Sequence, residues 1–105
     1  MTGQSPSMEP TLEFSAELWL HQKGTWVLLT VPEDESEDIR DLAPNVGGFG
    51  SVRVRVSIGD SQWLTSVFPQ RDNGPFVLPI KKPVRKAEGI DVGDRVDVEL
   101  GIVLD

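Results

Sequence analysis

The stretch "FVLPIKKPVRKAEGIDVGDRVDVEL" at residues 76–100 holds a short apolar segment, a basic segment and an alternating segment in succession. Pro83 suits the first turn of a helix, where its missing N–H is not needed. Gly89 stands where a left-handed residue ends a helix. After the turn at Gly93-Asp94, residues 95–100 alternate charged and apolar side chains, which is the pattern of a half-buried strand. The stretch therefore predicts a strand, a short helix, a tight turn and a final strand.

Strand patterns also occur upstream of this stretch. Segments 11–20 and 51–58 place apolar residues at alternate positions, which predicts strands with one buried face. Segment 25–31 is β-branched and apolar, and we expect it to pair with the first strand. Gly59-Asp60 predicts a tight hairpin turn that leads into a partner strand at 61–68.

One further helix completes the element order. Residues 33–42 carry acidic side chains in the first turn, which suits the helix dipole, and we expect Ile39 and Leu42 to face the core. Closing such short strands into a barrel removes exposed edges. We therefore predict a mainly β protein, a small closed or split β-barrel of about six strands with one or two short helices. We expect residues 1–10 to be a flexible tail and residues 11–105 to form a single domain.

Composition narrows the class of protein. The chain has 105 residues and no cysteine, which excludes disulfides and cysteine-based metal sites. No apolar run is long enough for a membrane span or a signal peptide, so we expect no membrane association and a cytoplasmic location. The net charge is −7, and residues 1–50 carry 2 basic and 9 acidic side chains. General attraction to nucleic acid is therefore unfavourable, although residues 51–105, with 8 basic and 8 acidic side chains, leave room for a local basic face.

Several segments together resemble a known family. They are "LPIKKPVRKAEGIDVGDRVDVEL" at 78–100, "GFGSVRVRVSIGD" at 48–60, "WLTSVFP" at 63–69, Phe14 with Ala16, and Trp26 before a strand that ends at Val31-Pro32. This pattern resembles the DUF1905 family of small bacterial proteins over residues 12–105. The resemblance implies a barrel-like fold and brings no assigned function. Residues 78–100 are also similar, more weakly, to the AbrB-type swapped-hairpin DNA-binding module.

The basic residues are the main candidate site. Four cations lie between residues 81 and 86, and two arginines share one face of the strand at 51–58. If the helix at 81–88 packs over that strand, these charges form one anion-attracting patch. Alternatively, Arg53 and Arg55 pair across strands with Glu13 or Glu17, and the lysines are solvated. With one hydroxyl on the barrel wall, the candidate ligand- or partner-binding residues are Arg53, Arg55, Ser66, Lys81, Lys82, Arg85 and Lys86.

Other suggestive residues have simpler interpretations. His21 lies in a hairpin loop, without a visible partner that would make it a general base. The acidic run at 33–38 lacks the glycine that calcium loops need. Gly47 to Gly50 leads into a strand, whereas phosphate-binding loops lead into a helix. Trp19, Trp26 and Trp63 either line a cleft or pack on the core, with packing the commoner case. We therefore assign no catalytic residue, metal site or cofactor.

Three functions are compatible with these features. The leading hypothesis is a non-enzymatic binding or interaction module, in which the basic helix binds a small anionic ligand or a protein partner. The first alternative is an AbrB-like nucleic-acid-binding dimer, which the net charge of −7 disfavours. The second is an unrecognised enzyme with a barrel pocket, in which Asp94 is the acid to inspect. The hypotheses leave both a monomer and a homodimer possible.

Overall fold

The computed structural model describes residues 10–21, 23–43, 50–70 and 74–103. These residues form six strands and two helices: β1 (Thr11–Leu20), β2 (Val27–Thr30), α1 (Glu33–Leu42), β3 (Val52–Ile58), β4 (Ser61–Pro69), β5 (Phe76–Pro79), α2 (Lys82–Glu88) and β6 (Arg95–Ile102). The prediction of a mainly β protein with two short helices is confirmed. The expected tail lies almost wholly outside the described residues.

The strands close into one barrel in the order β1-β2-β5-β4-β3-β6, and all neighbouring strands are antiparallel. The closing seam joins β1 to β6, with partners running from Thr11 and Gly101 to Glu17 and Arg95. Because the first and last strands pair with each other, the barrel closes within a single chain. Of the two predicted forms, the closed barrel is the one observed.

The barrel interior is filled by aliphatic side chains. Leu29, Val54, Leu78 and Leu100 come from four different strands, and each is 0% exposed. Side chains packed in this way fill the interior of a small barrel. Binding sites must therefore lie on the outer surface or at the ends of the barrel.

Leu20 and Leu42, which the sequence predicts to face the core, do not. Leu20 is 51% exposed because it pairs with Val27, the first residue of β2, at the rim of the barrel. Leu42 is 38% exposed at the last residue of α1. Ala87 is exposed on α2, where Val84 and Ile90 pack against the core. The second strand also begins at Val27, so that residues 25 and 26 precede it.

Helix α1 covers one end of the barrel through a buried serine that the sequence pattern did not reveal. The hydroxyl of Ser36, which is 0% exposed, donates to Val31 O at 3.1 Å and accepts from Phe76 N at 3.0 Å. Arg40 donates to Gly74 O at 3.2 Å and lies 5.7 Å from the centroid of the Phe76 ring. These contacts join α1 to the end of β2 and to the start of β5.

Helix α2 is held in a different way, through its last residue. Gly89 ends the helix in the left-handed conformation with φ 66°, as the sequence predicts. The carboxylate of Glu88 accepts from Ser61 Oγ at 2.5 Å and from Asp60 N at 3.4 Å. This carboxylate also fills the space beside Gly59, where an added Cβ would lie 2.0 Å from Glu88 Oε1. The helix is therefore fastened to the β3–β4 turn.

Neither of the two helices in the described ranges has the length and apolar character that a membrane span requires.

We predict that Ser36→Ala lowers the free energy of unfolding by about 2 kcal/mol, because Phe76 N–H loses its buried acceptor and Val31 O loses its donor. Chemical denaturation of the purified variants measures this change. Glu37→Ala, at an exposed position of the same helix, serves as the control and should change stability by less than about 0.5 kcal/mol. Equal effects of the two substitutions would contradict this role for Ser36.

We also predict that Gly59→Ala and Glu88→Ala are not additive. An alanine at residue 59 displaces the Glu88 carboxylate, so the stability lost in Gly59→Ala includes the hydrogen bonds of that carboxylate. These hydrogen bonds are already absent in Glu88→Ala, so the double variant loses them only once. The double variant should be more stable than the sum of the single changes predicts, by about 1 kcal/mol. Chemical denaturation of the unmodified protein, the two single variants and the double variant measures this coupling free energy.

The matched control is Gly93→Ala. Gly93 also has a positive φ, 95°, but a Cβ added there would meet no other part of the described chain within 4 Å. The backbone strain that Gly93→Ala introduces should therefore add to the loss of stability caused by Glu88→Ala, with no coupling free energy between the two changes. Additivity at Gly59 would show that Glu88 does not occupy the space beside that turn.

Candidate functional site

A cleft opens on the outside of the barrel where β2 begins and β5 passes into α2. Its base is set by the backbone: Ile80 N donates to Val27 O at 2.9 Å, and Leu28 pairs with Pro79. The cavity has a volume of about 510 Å³ and is lined by Thr25, Trp26, Val27, Pro79, Ile80, Lys81, Lys82 and Arg85. Segments far apart in the chain thus meet at one site.

Trp26 forms the aromatic wall of this cleft. Its carbonyl accepts from His21 N at 2.9 Å, which closes the β1–β2 hairpin and fixes the backbone of the tryptophan. The neighbouring residues Val27 and Leu29 point into the core, so the strand alternation directs the Trp26 side chain outward. The side chain is 62% exposed. A large aromatic surface is therefore available to a ligand.

Three cations also line this cleft. Lys81 and Lys82 are exposed, and neither forms an ion pair or a side-chain hydrogen bond with the described part of the chain. Arg85 is only 19% exposed: its Nε donates to Ile80 O at 3.1 Å, and its Nη1 lies 3.7 Å from an Asp91 carboxylate oxygen. Arg85 is therefore largely committed to holding α2, whereas the two lysines retain unpaired charge.

The other predicted site residues lie outside the cleft. Lys86 is exposed on α2 but does not line the cavity. Arg53 pairs with Ser66, and Arg55 pairs with Leu64, across β3 and β4. Helix α2 contacts this hairpin at its turn, and the six residue steps from Arg53 to Gly59 span roughly 20 Å of extended strand. The structure thus groups Lys81, Lys82 and Arg85 and places Arg53, Arg55 and Ser66 elsewhere.

The register also bears on the proposed pairing of Arg53 and Arg55 with acidic residues. Strand β6 lies between β3 and β1, so the two arginines are not cross-strand neighbours of Glu13 or Glu17. Arg95 is the residue opposite Glu17. The two arginines therefore do not lie directly opposite these acidic residues in the strand ladder.

Charge is segregated between the two ends of the barrel. Because β2 and β5 are antiparallel, the end of β2 and the start of β5 lie at one edge, where α1 packs. The start of β2 and the end of β5 lie at the other edge, beside the cleft. The first turn of α1 holds Glu33, Asp34 and Glu35, whereas the last turn of α2 holds Arg85 and Lys86. Helix α2 thus carries an excess of positive charge in a chain of net charge −7, while Glu88 ends the same helix and Asp91 lies beside Arg85.

Trp26 also borders a second cavity of about 310 Å³, together with His21, Lys23 and Leu28. His21 is exposed, as predicted, and stacks on Trp19 with ring centroids 6.4 Å apart. Its Nδ1 accepts from Lys23 N at 3.2 Å. The indole of Trp26 is thus the one lining residue that the two cavities share.

A third cavity, also about 510 Å³, has acidic walls on the outer face of β1 and β6. Glu13 lies opposite Glu99, and Ser15 donates to Asp97 at 2.5 Å. Within the described ranges, no group of three or more histidine, aspartate or glutamate side chains is arranged to hold a metal ion. The surface is therefore acidic without forming a recognisable cation site.

The remaining sequence candidates have structural roles or lie outside the described residues. Asp94 accepts from Asp91 N at 2.8 Å, which closes the turn before β6. Residues 47–49 of the glycine-rich segment are not among the described residues, and Gly50 has φ 74°. Neither feature adds a reactive group to the cleft.

Sequence reasoning considered Trp26 as a cleft residue but favoured packing on the core. The structure places Val27, Leu29 and Val31 in the core and Trp26 on the outside, but Leu28 is also apolar and buried, so the segment VLLTV shows no clear alternation in the sequence. By contrast, Trp63 packs against the core, and Trp19 donates to Thr30 Oγ1 at 2.9 Å. Only one of the three tryptophans therefore presents a free face at the cleft.

Comparison with known proteins identifies a family and adds no activity. No curated protein matches the chain. The family model described as "Domain of unknown function (DUF1905)" matches residues 14–100, which include all or part of every strand and both helices. The chain belongs to the DUF1905 family.

Proposed function

We propose that this domain is a non-enzymatic binding module that holds an anionic ligand in the cleft between Trp26 and α2. The observation that carries the proposal is the convergence of Lys81, Lys82 and Arg85 on one cavity, two of them without a carboxylate partner in the described part of the chain. Unpaired cations beside an apolar wall favour a ligand that supplies the missing negative charge.

The dimensions of the cleft favour a small ligand over a protein partner. Its volume of about 510 Å³ lies within the usual range for small-molecule sites, roughly 300–1,000 Å³. Its walls combine the exposed aromatic surface of Trp26 with a few charged groups, which is the usual composition of such sites. A concave site of this kind encloses a small anion better than a flat protein surface would.

Charge segregation makes an anionic ligand compatible with the overall negative charge. The acidic helix α1 lies beyond the far end of β2, and four strand residues span roughly 13 Å. The Debye length at physiological ionic strength is about 8 Å, so exposed charges at that separation are largely screened. An anion near Lys82 therefore interacts mainly with the charges close to the cleft, where Lys81, Lys82 and Arg85 outnumber the Asp91 carboxylate beside Arg85.

Binding also fits the cleft better than acid–base chemistry. The described lining residues supply cations, one threonine hydroxyl and apolar surfaces, whereas a general base is usually a histidine or a carboxylate. A lysine base or nucleophile must be uncharged, a form that burial in an apolar pocket favours, and both Lys81 and Lys82 are exposed. The side chains of the cleft are thus suited to binding a negatively charged group.

We predict that Lys82→Glu weakens binding of inorganic pyrophosphate roughly tenfold or more, because an attractive contact becomes a repulsive one. Isothermal titration calorimetry at low and moderate salt measures the affinity. Lys86→Glu is the matched control: it makes the same charge change on the same helix but outside the cleft. Its effect should be about twofold or less.

Two results would contradict this function. If Lys82→Glu binds pyrophosphate as tightly as the unmodified protein, the cleft is not the site. If Lys82→Glu and Lys86→Glu weaken binding equally, the attraction comes from the overall positive charge of α2. Circular dichroism should confirm that both variants are folded. Arg85 is less suitable for this test because its substitution also removes the contact with Ile80 O.

A further inference from the structure

We infer that the anionic ligand carries a flat ring, and that Trp26 is the platform on which this ring stacks. The chemical class is a nucleotide: a nucleobase lies on the Trp26 indole while its phosphate lies beside Lys81 and Lys82. This inference rests on the proposed function, because it assigns a second contact to a ligand held in the same cleft.

The first argument is the exposure of Trp26. The barrel does not need this side chain for its core, since Val27 and Leu29 supply the buried surface of this part of the chain. An indole that is 62% exposed and borders a cavity presents a large apolar face to water. Aromatic faces in binding sites stack nucleobases, whose rings match them in shape and in polarisability.

The second argument is the position of the cations relative to that face. Lys81, Lys82 and Arg85 line the same cavity as Trp26, so one ligand can contact both walls. A small inorganic anion would use the cations and leave the indole bare. An uncharged ring would use the indole and leave the lysines unpaired. A ring joined to a phosphate satisfies both walls at once.

The third argument is the second cavity beyond Trp26. It has a volume of about 310 Å³, and Lys23 lines it. A ligand that extends past the indole therefore meets another cation. The same chemistry, a base on Trp26 and a phosphate at α2, can come from a free nucleotide or from the end of a single strand.

The test compares two probes that differ only in the nucleoside: inorganic pyrophosphate and adenosine diphosphate. Calorimetry should show adenosine diphosphate binding more tightly, by roughly fivefold to a hundredfold, the range expected when one base stacks on an aromatic side chain. Trp26→Ala should remove this preference and leave pyrophosphate affinity within about twofold. Leu64→Ala is the control, since it truncates an exposed apolar side chain, 51% exposed, on the outer face of β4.

The outcomes separate this inference from the proposed function. Equal affinity for the two probes, or a preference that survives Trp26→Ala, overturns the stacking role while pyrophosphate binding that depends on Lys82 stands. Loss of sensitivity to Lys82→Glu for both probes overturns the anion-binding function itself. Trp26→Phe keeps a smaller ring and should retain part of the preference, which distinguishes stacking from an effect on folding.

A final arm identifies the source of the nucleotide. Fluorescence anisotropy with a labelled eight-nucleotide single-stranded DNA, competed by adenosine diphosphate, compares the two sources at one site. Weakening of strand binding by Lys23→Glu, with no change for adenosine diphosphate, identifies a single strand that continues into the second cavity. If the strand and adenosine diphosphate bind with equal affinity, and Lys23→Glu changes neither affinity, the ligand is a free nucleotide. A strand that adenosine diphosphate does not displace contradicts a shared stacking site.

Discussion

The pairing of β1 with β6 is the constraint on which the rest of this structure depends. Seven residue pairs join the first strand to the last, from Thr11–Gly101 to Glu17–Arg95. Without this seam, both strands would present free backbone N–H and C=O groups along an open edge. Once the seam closes, the interior is filled by aliphatic side chains such as Val54 and Leu100. The described strands therefore enclose a core that is filled with side chains.

Closure of the barrel also places the two helices at opposite ends, where different contacts hold them. The short antiparallel strands β2 and β5 run between them, so α1 and α2 lie beyond opposite ends of the same strand pair. Helix α1 is anchored by the hydroxyl of Ser36, which is completely buried. Helix α2 is anchored by Glu88 at its last residue and by Arg85 within it. Its first residues remain free to line a cleft, and the acidic and basic surfaces are separated.

The cleft itself follows from backbone geometry and side-chain alternation. The hydrogen bond from Ile80 N to Val27 O holds its two sides together. The inward direction of Val27 leaves Trp26 on the outside, facing residues contributed by α2. An apolar wall and a cationic wall thus arise from segments that serve the fold for other reasons. The combination of the two walls is the basis for the proposed ligand, which has both a ring and a negative charge.

The sequence by itself determined the local features of this protein. Apolar alternation identified the strands, the span of α1 was predicted correctly, and Gly89 marked the end of α2, because these signals act between residues close in the chain. Only the tertiary structure decided the strand order β1-β2-β5-β4-β3-β6, which depends on pairing between distant segments. That order separated Arg53 from the basic helix and brought Trp26 to Lys82. The physical reason is that sequence periodicity sets which face a residue occupies, whereas barrel closure sets which faces meet.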